Sequence, residues 1–209
     1  MKTIFLLLTT FAVTGLFAQT RVIGGKFTKS DGTRMKPATT MVFVKGIDDN
    51  ILITNYIGGS DNSASIEIEV PIGAYVTEFR NMINSGTASN QLVATKPKVA
   101  VATTIIKQDI GIKTSPSIQP LQPAALARAE ITVVNINSGQ SPQYQWVNTI
   151  ILEDVKVESC TDNAATGTSK IKLKGNRIGW IYYAYDKQGS RSSTQSGWNA
   201  ATGQAWNNF

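Results

Sequence analysis

Ile178-Gly179-Trp180-Ile181-Tyr182-Tyr183-Ala184-Tyr185 is the stretch on which the reading of this chain turns. Aromatic and β-branched residues dominate it, so it reads as a strand. A period of two puts Trp180 and Tyr182 on one face and Ile181 and Tyr183 on the other. Upstream lie an alternating run from Trp146 to Val157, a polar loop, and a short basic strand from Lys170 to Lys174. Downstream, Ser196-Gly197-Trp198-Asn199 leads into a tail rich in Gly, Asn and Ser that carries Trp206 and Phe209. Trp180, in mid-strand, is expected in the core. Trp198, Trp206 and Phe209 are expected to be more exposed, which would leave Trp206→Ala well tolerated.

The rest of the chain is also β-rich. Met41–Val44 reads as a strand. Ile51–Tyr56 reads as another, closed by Gly58-Gly59, and Ile66–Val70 alternates strictly up to Pro71. Between Ala74 and Ile83 the apolar spacing changes, and Tyr75, Val76, Phe79, Met82 and Ile83 fall on one helical face. Lys98–Lys107 is a further β-rich run. Leu121–Arg128, with its Ala-rich end, is a helix candidate, and Glu130–Ile136 alternates as a strand. The expected fold is mainly β, a small barrel or sandwich of about eight strands, with one short flanking helix and a helical insertion at about 72–96.

Met1 to Ala18 has the form of an export signal. Lys2 supplies the positive end, Ile4–Val13 the apolar stretch, and Leu16-Phe17-Ala18 the cleavage context. The apolar run is too short for a membrane anchor. Residues 19–40, polar and holding Gly24-Gly25 and Asp31-Gly32, read as a flexible leader, and residues 41–209 as a single domain. The expected destination is periplasmic or extracellular. Cys160 is the only cysteine of the 209 residues, so no internal disulfide is available. Glu158 and Asp162 flank it in sequence, which would raise its pKa and blunt its reactivity.

The composition argues against several classes of chemistry. There is no histidine, which removes the commonest general base, metal ligand and pH switch. The acidic pairs Asp48/Asp49 and Glu153/Asp154, and the alternating Glu67 and Glu69, sit where solvated charge is ordinary. No catalytic, metal or cofactor site is expected. Twenty basic against fourteen acidic residues give a formal charge of +6, but the basic residues are scattered rather than gathered into a nucleic-acid face. A terminal Phe209 on an exported β protein raises an outer-membrane barrel. Asn207, Ala205 and Gly203 occupy the face that would have to be apolar in such a barrel.

The order of motifs resembles the haemolysin-coregulated protein (Hcp) family of type VI secretion systems. Val157-Glu158-Ser159, Ile178-Gly179-Trp180-Ile181-Tyr182 and Gly197-Trp198-Asn199 fill the three slots of that family's usual ending. Phe43, Lys45, Gly46, Ile47, Ile51, Ile53, Tyr56 and Gly58 match its opening. Lys107, Asp109 and Ser115-Pro116 match its middle, and the stretch at 72–96 has no counterpart.

The resemblance implies a β-barrel subunit that assembles into six-membered rings stacked into a tube, with effectors carried in the lumen and no enzymatic activity. The export signal departs from a tube built in the cytoplasm and points to an exported relative. Trp180, Tyr182, Trp198, Asn199, Ile151 and Trp146 are the candidate structural or interface residues. Ile151 is among them because Thr149-Ile150-Ile151-Leu152 carries no charge or proline to protect a strand edge. The alternative is a monomeric module that binds carbohydrate or a cell surface through the C-terminal aromatics, stacking sugar on the Trp rings with Asn199 as a hydrogen-bond partner.

Overall fold

The computed structural model describes residues 19–37, 44, 46–88, 126–137 and 143–209. Ten strands and one helix follow in chain order: β1 (Gln19–Lys29), β2 (Ile51–Ile53), β3 (Asn55–Gly58), β4 (Ser65–Pro71), α1 (Ala74–Ala88), β5 (Leu126–Asn137), β6 (Gln143–Asn163), β7 (Thr168–Lys174), β8 (Arg177–Tyr185), β9 (Arg191–Asn199) and β10 (Gln204–Ala205). All pairings are antiparallel, and the main path runs β10-β9-β8-β6-β5-β1-β2. A branch runs from β6 through β7 and β4 to β3.

β6 belongs to both parts. Asn148–Glu153 pairs with β8, and Lys156–Asn163 pairs with β7. Between them Asp154 takes a φ of 53°, a left-handed conformation that turns the strand from one partner to the other. β2 passes into β3 through Thr54, whose N–H bonds to the carbonyl of Glu69 in β4. The two layers are therefore joined by continuous chain at two places, and one core of Ile, Val, Leu and Phe fills the space between them. This is the expected small β-barrel or sandwich, and its one described helix, α1, is the helix expected as an insertion at about 72–96.

Gln19–Lys29, the first part of the stretch expected as a flexible leader, is instead a strand paired on both sides. β1 pairs with β5 from Gln19↔Asn137 to Lys29↔Leu126 and with β2 on its other side. Ile23 and Phe27 alternate into the core, Phe27 with no exposure. Gly24-Gly25 looked like a chain breaker, but Gly25 serves close packing. A Cβ there would stand 2.6 Å from the Phe27 ring and 2.8 Å from Ile53 Cδ1.

The expected helix at Leu121–Arg128 is corrected at its end, where Leu126, Ala127 and Arg128 open β5. Leu126 and Ala129 are buried between paired neighbours on both sides, and that tertiary pairing overrides the helix propensity of the alanines. The run Ile51–Tyr56 divides at Thr54 into β2 and β3. The readings at 41–43, 98–107 and 121–125, and the rest of the stretch to residue 96, lie outside the described residues.

The switch to helical spacing at Ala74 is realised in α1. Tyr75, Val76, Phe79 and Met82 are buried, and the Phe79 ring meets Phe27 edge-on at 5.1 Å. Lys29–Glu78 at 2.9 Å and the pair Arg80–Asp162 tie the helix to β1 and β6. Cys160 lies beside this contact. Burial raises its pKa foremost, with Asp162 adding to the rise and Arg80 opposing it. The acidic neighbour in sequence, Glu158, is engaged by Lys172 at 3.0 Å instead. No helix among the described residues is long and apolar enough to cross a membrane.

Candidate functional site

The face of β8 that points away from the core carries a slot made by two glycines. Gly179 and Gly197 are cross-strand partners, and Ile151 on β6 stands opposite Gly179 in the same row. The ring of Phe209 lies over both glycines. A Cβ on Gly179 would come within 2.9 Å of that ring, and one on Gly197 within 2.8 Å. Trp206 donates its backbone N–H to the carbonyl of Gly197 at 2.9 Å, and its ring packs against Phe209 at 4.7 Å between centroids. The glycines of the Ile-Gly-Trp and Gly-Trp motifs thus make room for the tail.

The next row, Arg128, Glu153, Arg177 and Asn199, crosses β5, β6, β8 and β9. Glu153 accepts from Arg128 at 2.9 Å and from Arg177 at 3.1 Å. The Arg177 guanidinium sits 5.3 Å from the centre of the Trp206 ring, a cation–π contact that fixes the tail over the ion pairs. Asn199 closes the turn into β10, its Oδ1 accepting the N–H groups of Ala201 and Thr202 at 3.0 and 3.2 Å.

The expectation of exposed tail aromatics is therefore corrected. Trp206 is 8% exposed, as buried as Trp180 at 9%, and Trp198 packs against the core. Composition hid this, because small polar residues in a tail resemble linker. The signal that could have revealed it is the pair of glycines two strands' lengths apart, each beside a Trp.

The six candidate residues do not form one site. Trp180 points into the core and donates its indole N–H to the carbonyl of Gly59 at 2.5 Å. Tyr182 shares its face but lies past the core and is 52% exposed. Trp146 sits on the outer face in a second, small cluster with Val44, Ile47 and Val134. There Trp146 meets Tyr183 edge-on at 5.9 Å, and Arg191 covers both rings. Ile151 is 2% exposed and its strand is paired on both sides, so Thr149–Leu152 is not an edge. Among the described residues, one exposed edge lies on β9 instead. β9 pairs with β8 along all nine residues, while β10 covers only Trp198 and Asn199. Arg191–Ser196 is exposed.

Gly197→Ala is expected to expel the tail, since the new Cβ would stand 2.3 Å from the carbonyl oxygen of Trp206. The displaced indole should report this as a red-shifted tryptophan emission with a lowered melting temperature. An unchanged spectrum would show that the slot yields.

No family model matches this chain, and no curated protein matches it by sequence. Solved structures do match its fold. A type six secretion system protein aligns with a TM-score of 0.55 and 11% identity, over 90% of this chain and 100% of its own. Hcp1 from Salmonella typhimurium aligns with a TM-score of 0.52 and 10% identity, over 89% of this chain and 99% of its own. With one kinked strand shared between two β layers, a flanking helix, and the Ile-Gly-Trp and Gly-Trp-Asn motifs facing each other on β8 and β9, this chain has the fold of the Hcp proteins of type VI secretion systems.

Proposed function

We propose that this chain is an exported structural protein that self-associates into a ring resembling the tube component of type VI secretion systems. In this reading residues 1–18 are removed on export, six copies close the ring, rings stack, and effectors travel in the lumen. The protein performs no catalysis. The observation that carries the reading is the β9 edge. Arg191–Ser196 presents exposed backbone with one charge, at its start, and no proline, and such an edge is a template for pairing with another chain. A head-to-tail contact through it closes a ring when its rotation divides a full turn.

The competing module has less to build on, with Tyr182 as the exposed ring of its platform. The Trp206 and Phe209 rings pack on the protein itself, and Asn199 spends its side chain on a turn.

Light scattering on protein lacking residues 1–18 tests the ring. The wild type is expected at a multiple of the monomer mass. Thr194→Lys, an exposed substitution that charges the edge, is expected as monomer with an unchanged melting temperature. A wild type that stays monomeric at its highest soluble concentration would end this reading. Mass spectrometry of secreted protein with an intact Met1 would refute the export step.

A further inference from the structure

A groove of about 620 Å³ runs along β1, β2 and the start of β3, well away from the tail and from β9. Ile23 and Ile53 form its buried floor, and Leu52, Thr54 and Tyr56 contribute to its walls. Arg21 stands over it as the single charged residue of its lining. The guanidinium rests 5.8 Å from the centre of the Tyr56 ring and donates to the Tyr56 hydroxyl at 3.3 Å. Among the described residues no carboxylate lies within ion-pair distance of Arg21, although most other arginines of the fold have one. β2 also ends the main strand path, so its outer edge has no strand neighbour among the described residues.

An apolar floor, a strand edge and a cation held in place without an anion make a specific combination. The edge offers main-chain hydrogen bonds to an extended segment, the floor takes alternate side chains, and Arg21 offers a charge-assisted bond to a carboxylate. This chain's own exposed edge strand cannot supply that carboxylate, because β9 reads Arg-Ser-Ser-Thr-Gln-Ser-Gly-Trp-Asn. The formal charge of +6 further favours an acidic visitor.

We propose that the β1–β2–β3 groove docks an extended, acidic segment of a different polypeptide, with Arg21 gripping one of its carboxylates. The site does not depend on ring formation.

The test is fluorescence anisotropy with two labelled, end-blocked peptides, one alternating Val and Glu and the other alternating Val and Lys. The acidic peptide is expected to bind and the basic one not. Arg21→Glu is expected to weaken the acidic peptide by roughly tenfold or more, the order of a lost charge-assisted bond, and to admit the basic one. Arg21→Gln should fall between. Arg21 is exposed, so both variants should melt with the wild type. Equal binding of the two peptides, no binding of the acidic one, or indifference to Arg21→Glu would overturn the proposal. So would a change in assembly mass on Arg21→Glu without a change in peptide affinity, which would make the groove a contact between copies. A monomeric wild type that binds the acidic peptide would refute the ring and leave this site standing.

Discussion

Ile151→Lys is expected to leave no folded protein to measure. Ile151 is 2% exposed in the middle of β6, with β5 on one side and β8 on the other. Removing a buried aliphatic side chain of this size costs about 2–5 kcal/mol. Placing an unpaired ammonium there adds a desolvation penalty of several kcal/mol, against a total stability of about 5–15 kcal/mol for a domain. Circular dichroism should show the loss of sheet, and the protein should be recovered as aggregate. A soluble variant with wild-type melting would mean that the outer face around Gly179 opens readily to water. As a probe of self-association the substitution is uninformative, which is why the β9 edge is tested through Thr194.

Trp180→Ala should carry the next largest effect. The ring is buried, and truncating a core tryptophan costs roughly 3–5 kcal/mol. The variant also strands the carbonyl of Gly59, which loses the indole donor at 2.5 Å, and an unmet buried acceptor costs about 1–3 kcal/mol more. Trp206→Ala is expected to lower stability as well, since Trp206 is equally buried. It should cost less, because its partners are Phe209 and Arg177 on the outer skin and no buried hydrogen bond is lost with it. Urea unfolding of both variants checks the ranking, and a larger loss at Trp206 would place the tail at the centre of the fold's stability.

The strands that alternate under burial were legible from residues alone. Ile66–Val70 and Lys170–Lys174 fall within strands of nearly the same bounds, because one wet and one dry face leave a period of two in the sequence. Ile178–Tyr185, buried throughout Ile178–Trp180, was legible from its aromatic and β-branched residues. The change of period at Ala74 marked α1 for the same reason. β1 was not legible. Its two glycines and scattered polar residues resemble linker, and only the packing of Phe27 and Ile53 explains why glycine is needed there. The opening of β5 was misread because alanines carry a helix preference that says nothing about which strands wait on either side. At the candidate site the residue types were right and the roles were not. Trp180, Trp198 and Gly197 mark a meeting of β8, β9 and the tail that only cross-strand register discloses. Arg21 gave no sequence signal, since nothing in its neighbourhood shows that it lacks an anion.

The kink at Asp154 has a mechanical meaning. A single covalent strand pairs with β5 and β8 up to the kink, with β5 once more at Val155, and with β7 beyond it. Neither layer can peel from the other without breaking ladders that belong to the second, so separation of the layers and loss of the whole fold become one event. Load applied to one layer passes along β6 as tension in a continuous backbone, not as shear across side-chain contacts. In the ring proposed above, such a tie would let a subunit carry load without its layers parting.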